Sequence, residues 1–187
     1  MNITAAAKRS ILGLVGAAAI TASIVAPAFA ADQVTQVING NGSLTAFVSD
    51  ASLSAVTYSN AATSSSGSLT LSADDPRGTS VGWNVTIASS DFDYAGASSI
   101  GLDLPSTGFV IGTPATPSMT AGQAVNAIGP LAVAGGSLNT PRKTISAGVG
   151  SGSGSYTQAL PVSLAIPAYS QAGTYTAVLT VLITSGL

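Results

Sequence analysis

Asp74-Asp75-Pro76-Arg77-Gly78-Thr79-Ser80-Val81-Gly82-Trp83-Asn84-Val85-Thr86-Ile87 reads as a tight turn that feeds a β-strand. Pro76 presets φ for the turn and Gly78 relieves its far side. From Val81 onward the apolar side chains fall on every second residue, Val81, Trp83, Val85 and Ile87. An extended chain puts those four on one face, with Gly82, Asn84 and Thr86 on the other. The stretch holds the sole tryptophan and one of the three basic residues that follow residue 30. Two readings of its apolar face stand side by side. Trp83, flanked by Val81 and Val85, suits a buried core; a rare aromatic beside a rare arginine also suits a binding surface. Arg77 likewise reads as a partner for Asp74, Asp75 or a turn carbonyl, or as a guanidinium that recognises a ligand.

The same two-residue period recurs on both sides of this stretch. Upstream, strands are expected at Gln33 to Ile38, Ser43 to Val48, Ser52 to Tyr58 and Ser68 to Ala73. Asn39-Gly40-Asn41-Gly42 has the composition of a hairpin turn, and the Ser/Gly-rich run Ala61 to Gly67 that of a loop. Downstream, strands are expected at Gly108 to Gly112, Arg142 to Ala147 and Tyr156 to Ile166. The Pro-punctuated segment Thr113 to Gly135 reads as an irregular excursion, and Gly148 to Ser155 as a flexible loop. Gly173 to Thr184 alternates most cleanly. Tyr175, Ala177, Leu179, Val181 and Ile183 form one face, opposite a threonine-rich face interrupted by Val178 and Leu182, which predicts one long strand packed on one side and partly covered on the other. Short alternating runs separated by Gly, Ser, Asn and Pro predict an all-β fold, a single antiparallel β-sandwich of the Ig-like, Greek-key type. No repeat of 20–50 residues is present.

The first thirty residues stand apart. Lys8 and Arg9 precede an apolar run from Ile11 to Val25, Pro27 ends it, and Ala28-Phe29-Ala30 gives a small-x-small cleavage site. This is the pattern of a secretory signal peptide, and the run is shorter than the roughly 20 residues that span a bilayer. The expected organisation is a signal peptide, 1–30, and one β-domain, 31–187, secreted and with no membrane span after cleavage. The mature chain carries three basic residues against seven aspartates, a net charge of −4. Such a chain is a poor ligand for nucleic acid and has no basic amphipathic stretch for anionic lipid. Cysteine, histidine and glutamate are absent, so disulfides and thiolate or imidazole metal sites are unavailable despite export.

Those absences also narrow the chemistry. The serines have no histidine to act as base, and Lys143 lies outside any Ser-x-x-Lys spacing. Asp91 and Asp93 share one side of an extended segment, at a spacing compatible with glycoside hydrolysis, but they lie on one element, where a solvated turn is the simpler reading. Asp91-x-Asp93-x-Ala95-Gly96 starts like a calcium loop, yet Ala95 and Leu102 fail its fifth and twelfth positions; a looser site using Asp74 or Asp103 with carbonyls stays open. Leu104-Pro105-Ser106-Thr107-Gly108 spells the sortase motif, but 79 residues follow Gly108, without a basic tail. A proline bend before a strand accounts for it. Asn41-Gly42-Ser43 and Asn84-Val85-Thr86 are sequons that mean little behind a bacterial-type signal. The chain is therefore read as non-enzymatic, with no catalytic residue, metal or cofactor.

Asp75-Pro76-Arg77-Gly78-Thr79-Ser80-Val81-Gly82-Trp83-Asn84-Val85 resembles the Asp-x-Arg-Gly-Thr-Gly-x-Gly-Trp-x-Leu-like segment of the WxL domain, a cell-surface module of Gram-positive bacteria. Tyr175-Thr176-Ala177-Val178-Leu179-Thr180-Val181-Leu182-Ile183 is similar to that family's distal Tyr-x-x-x-Leu-x-Trp-x-Leu segment. Ile166-Pro167-Ala168 and Ala172-Gly173-Thr174 are similar to its run-in. Val85 stands in place of the first motif's leucine, and Val181 in place of the second motif's tryptophan. The resemblance implies a secreted β-domain held non-covalently at peptidoglycan or another wall polymer, alongside other surface proteins. Its motif residues here are Asp75, Arg77, Gly78, Gly82, Trp83, Tyr175 and Val181. The alternative is a structural subunit that assembles by β-strand addition, prompted by low charge and a long strand near the C-terminus.

Overall fold

The computed structural model describes residues 35–49, 51–96, 103–122 and 131–186. The expected signal peptide and the start of the strand expected at Gln33 lie outside these residues. In chain order the strands are β1 (Thr45–Val48), β2 (Thr63–Asp75), β3 (Trp83–Ser89), β4 (Asp93–Tyr94), β5 (Phe109–Ile111) and β6 (Ser118–Gly122). They continue as β7 (Leu131–Ala132), β8 (Gly136–Ser137), β9 (Arg142–Ala147), β10 (Gly154–Ile166), β11 (Tyr175–Thr176) and β12 (Leu179–Ser185).

β10 organises the larger sheet. Its Tyr156, Gln158, Leu160, Val162 and Leu164 alternate inward and are all buried, which is the strand period applied to one wet and one dry face. β2 pairs with it antiparallel along the full length, from Gly154↔Asp75 to Ile166↔Thr63. Its other edge is shared by β6, opposite Gly154 to Thr157, and β5, opposite Val162 to Leu164. Pro161 lies where that edge passes from β6 to β5, so its missing N–H leaves no ladder bond unmade, while its carbonyl still accepts from the Gly112 amide at 2.8 Å. β1 flanks β2 and β8 flanks β5, giving six strands, all antiparallel.

A second sheet runs in the order β12-β3-β9-β7, and β4 pairs with β11 in a small two-stranded ribbon. The main sheets sandwich one core. Leu69, Leu71 and Ala73 of β2, with Phe109 and Ile111 of β5, meet Trp83, Val85 and Ile87 of β3 and Ile145 and Ala147 of β9. Trp83 touches Tyr156 across the layer, ring centroids 6.1 Å apart and tilted by 49°. Leu138, fully buried, joins the sheets in the backbone: its N–H donates to Phe109 and its carbonyl accepts from Ser89, both at 2.8 Å. The fold is the all-β antiparallel sandwich expected from the sequence.

Several elements differ from expectation, each for a local reason. Within the expected loop Ala61 to Gly67, Thr63 to Gly67 is the first part of β2. Its inward side chains there are small because Leu53 packs onto the bare backbone of Gly67. Ser52 to Tyr58 is extended but joins no ladder, and residues 35–38 form no strand. With no strand before it, Asn39–Gly42 is not a hairpin; instead the Asn41 amide donates to the Pro76 carbonyl at 3.1 Å. Val81 is 42% exposed, because positive φ on either side of it, at Ser80 and Gly82, breaks the alternation before Trp83. The excursion 113–135 contributes β6 and β7. The long C-terminal strand is broken at Ala177–Val178, where β3 has ended and Ser90 bonds both the amide and the carbonyl of Val178. Its alternation survives the break. The odd-numbered residues from Tyr175 to Ile183 are half-buried and the even-numbered ones are exposed.

Candidate functional site

The motif residues converge at one end of the sandwich. Asp75 closes β2 with no exposed surface, and a buried carboxylate needs a cation and donors. Arg77, two residues on, supplies both: Nε donates to Oδ1 at 2.7 Å and Nη2 to Oδ2 at 3.0 Å. Hydrogen bonding to Asp75 and its charge, opposed by burial, raise the guanidinium pKa above its usual value. Nη1 reaches the Ser185 hydroxyl at 2.6 Å, at the far end of β12, and Nη2 the Gly82 carbonyl at 3.5 Å. Gly78 and Gly82 both take positive φ. A Cβ on Gly82 would lie 2.6 Å from the Ala147 carbonyl oxygen, so the turn can close only on glycine.

Trp83 follows with no exposed surface, its indole N–H donating to the Gly152 carbonyl at 3.0 Å. Val181 lies opposite Ile87 in the β3–β12 ladder, half-buried against the core. Tyr175 lies apart, in the β4–β11 ribbon. The structure thus unites Asp75, Arg77, Gly78, Gly82 and Trp83 with the C-terminal Ser185, places Val181 further along the same ladder, and puts Tyr175 elsewhere. What these residues form is a corner that ties β2 of one sheet to β3 and β12 of the other.

Asp74, Asp91 and Asp103 are also engaged. Asp91 Oδ1 accepts from the Ser106 amide at 2.7 Å and its hydroxyl at 2.6 Å, and these bonds lower its pKa. Asp103 accepts from the Tyr94 amide, and Asp74 from the Ser155 hydroxyl. Among the described residues no three acidic side chains gather into a metal site. Leu104 is buried and bridged to Phe92, and Ser106–Gly108 is a single 3-10 turn; the sortase-like letters are part of the folded framework. A carboxylate held below its ordinary pKa contributes stability that is present above the ordinary value and lost as pH falls through the lowered one. Asp91→Ala is therefore expected to lower Tm at neutral pH and to flatten the acid-side fall of Tm between roughly pH 2 and 4. Thermal melts of both proteins across that range check it.

A larger accessible groove than the one beside Asp74 and Ser155 lies at the opposite end. After Ser49 the chain runs extended from Ala51 to Ser59, held by the Ser54 amide on the Ser66 carbonyl, by the Ser65 hydroxyl on the Ser54 carbonyl, and by the Tyr169 amide on the Ser59 carbonyl. It forms one wall of a groove of about 580 Å³. Residues 170–177 form the other wall, and Phe92, Phe109, Leu164, Ile166 and Leu179 lie beneath. No Asp, Lys or Arg lines it. Four of the five tyrosines gather at this end. Tyr58 and Tyr175 line the groove. Tyr94 packs on Tyr175 at 5.1 Å, and Tyr169 hydrogen-bonds to the 51–59 wall. The Tyr175 hydroxyl donates to Gln171 at 2.7 Å; burial first, then Tyr94 and Asp103, raise its pKa.

Neither protein-family models, nor curated proteins, nor solved structures include a match to the chain. Sequence reasoning did not find the groove. Its one signal was Ser52 to Tyr58, a strand-like run that the fold leaves without a ladder.

Proposed function

We propose that this chain is a non-enzymatic protein of the bacterial surface, retained without a covalent link on the cell wall, at peptidoglycan or another wall polymer. The observation that carries the reading is the tyrosine-rimmed groove, whose lining carries no charged side chain. Saccharide chains present C–H faces and neutral hydroxyls, which suit aromatic faces interleaved with Ser, Thr and backbone groups. The Asp75–Trp83 corner lies at the other end, so wall contact is assigned to the rim formed by Tyr58, Tyr94, Tyr169 and Tyr175. Mature protein incubated with purified peptidoglycan sacculi is expected to sediment with them. Tyr58→Ser with Tyr169→Ser, both at exposed positions, is expected to weaken retention severalfold at unchanged Tm. Retention no better than that of an unrelated β-sandwich removes the proposal.

A second reading, a structural subunit assembling by strand addition, draws on one observation. The backbone N–H groups of Ala55 to Ser59 have no hydrogen-bond partner among the described residues, so the groove wall is a free strand edge. β12, the edge that the sequence pointed to, is a weaker acceptor, since β1 approaches it within 8 Å between Cα atoms. Size-exclusion chromatography and negative-stain microscopy separate the readings; a strict monomer at high concentration removes the second.

A further inference from the structure

Ser52 to Tyr58 joins no ladder and residues 35–38 form no strand, and each of these strand-like runs has what the other lacks. Ser52 to Tyr58 walls the groove; its amides from Ala55 onward have no hydrogen-bond partner among the described residues, and an apolar floor lies beside it. Gln33 to Ile38, Gln-Val-Thr-Gln-Val-Ile, is neutral and rich in β-formers. Its end carries apolar side chains into solvent, Val37 at 67% and Ile38 at 90% exposure. We propose that the groove is a strand acceptor and that its occupant is the segment Gln33–Ile38 of a second copy of this chain. The proposal rests on the strand-addition reading and names its donor and its acceptor.

Reach decides that the donor comes from another copy. The Asn41 amide is bonded to the Pro76 carbonyl, at the corner end of the sandwich. Ile38 is three residues from Asn41 and so lies within about 11 Å of that anchor. The near end of the groove, at Ser52 and Leu53, lies against Gly67, eight residues along β2 from Asp75, a distance of about 27 Å at the strand rise. A chain therefore cannot lay its own Ile38 in its own groove. A second chain can, and the contact is then corner end to groove end.

The chemistry matches as well. An added strand pairs its own backbone with the free amides along Ala55 to Ser59. Its apolar side chains meet a floor of Leu53, Phe109, Leu164 and Ile166. The groove has no charged side chain and Gln33–Ile38 has none either, so no unpaired charge is buried. Donor and acceptor are different surfaces, so the contact is heterologous, and each added copy offers a fresh groove. Repeated, it gives a filament rather than a closed dimer.

The chain has no cysteine, which makes the test direct. Mature Val37→Cys protein and mature Tyr58→Cys protein are mixed and treated with a short bis-maleimide. The mixed cross-linked dimer is expected to exceed that formed with a Lys143→Cys partner, exposed on β9 opposite Thr86 and away from both ends, by about tenfold or more, as local concentration at an occupied site requires. Removing residues 31–37 from the otherwise unaltered mature chain is expected to abolish any higher species on size-exclusion chromatography, at unchanged Tm. Cross-linking at the level of the Lys143→Cys control overturns the proposal. So does protection of the thiol in the Tyr58→Cys protein by wall saccharide but not by a synthetic peptide of residues 31–40. Assembly that persists without 31–37 overturns the donor assignment while leaving strand addition standing. A strict monomer removes both.

Discussion

Arg77→Ala is expected to lower the unfolding free energy by about 3–5 kcal/mol, the loss typical of removing one partner from a buried ion pair. The reason lies in Asp75. Its carboxylate has no exposed surface, and both of its oxygens are bonded to Arg77. Removing the guanidinium strands a charge in the interior. Arg77 itself is 18% exposed, so the ion pair taken as an attraction is worth far less than the cost of leaving half of it. Two further measurements separate these quantities. Asp75→Ala with Arg77→Ala should lose clearly less than the sum of the single variants. Arg77→Lys, a point charge without the two-pronged geometry, should fall between wild type and Arg77→Ala. Urea titrations give all three, and an unchanged m-value shows that the effect is on stability alone. Arg77 also holds Ser185, and the Gly186 amide bonds the Gly82 carbonyl at 3.0 Å. Hydrogen exchange at the end of β12 should therefore rise before the rest of the sheet opens.

This corner shows how far the sequence could be read. The turn at Pro76–Gly78 and the burial of Trp83 follow from local chemistry, and a salt bridge from Arg77 to a neighbouring aspartate was one of few options. β9 takes the bounds its residues predict, and β10 extends its own by two. What local chemistry does not contain is the partner. Ser65 and Gly67 look like loop residues until the segment eleven or more positions earlier is seen against them, Ser54 bonded to Ser65 and Leu53 packed on Gly67. Val178 looks like mid-strand until Ser90 supplies its bonds. The motif resemblance located a real cluster, yet the cluster is a framework, because both its aspartate and its tryptophan face inward. The groove was harder still. It exists because one strand-like run, Ser52 to Tyr58, finds no ladder, and no single-sequence pattern distinguishes a paired strand from an unpaired one.

Trp83→Ala should cost about 3–5 kcal/mol, in the range of large-to-small changes in a packed core. The indole fills the layer between the sheets, against Tyr156, with its N–H on Gly152. Gly152 is bare for that purpose, since a Cβ there would come within 2.7 Å of the indole nitrogen. The surroundings therefore have little freedom to collapse into the vacated space. Trp83→Phe should cost less, leaving a smaller void and the Gly152 carbonyl without its donor. Because Trp83 is the only tryptophan, emission reports on this position alone. It is expected to be blue-shifted, resistant to acrylamide, and unchanged when sacculi are added; a red-shifted, quenchable signal that sacculi perturb would restore Trp83 as a contact residue. Loss of sacculus retention in Trp83→Ala would not by itself do so, since an unfolded fraction binds nothing. The discriminating comparison is with Arg77→Ala at matched stability. If Trp83 acts only through the fold, the two variants lose retention in proportion to their unfolded fractions, and the Tyr58 and Tyr169 variants lose it while remaining folded.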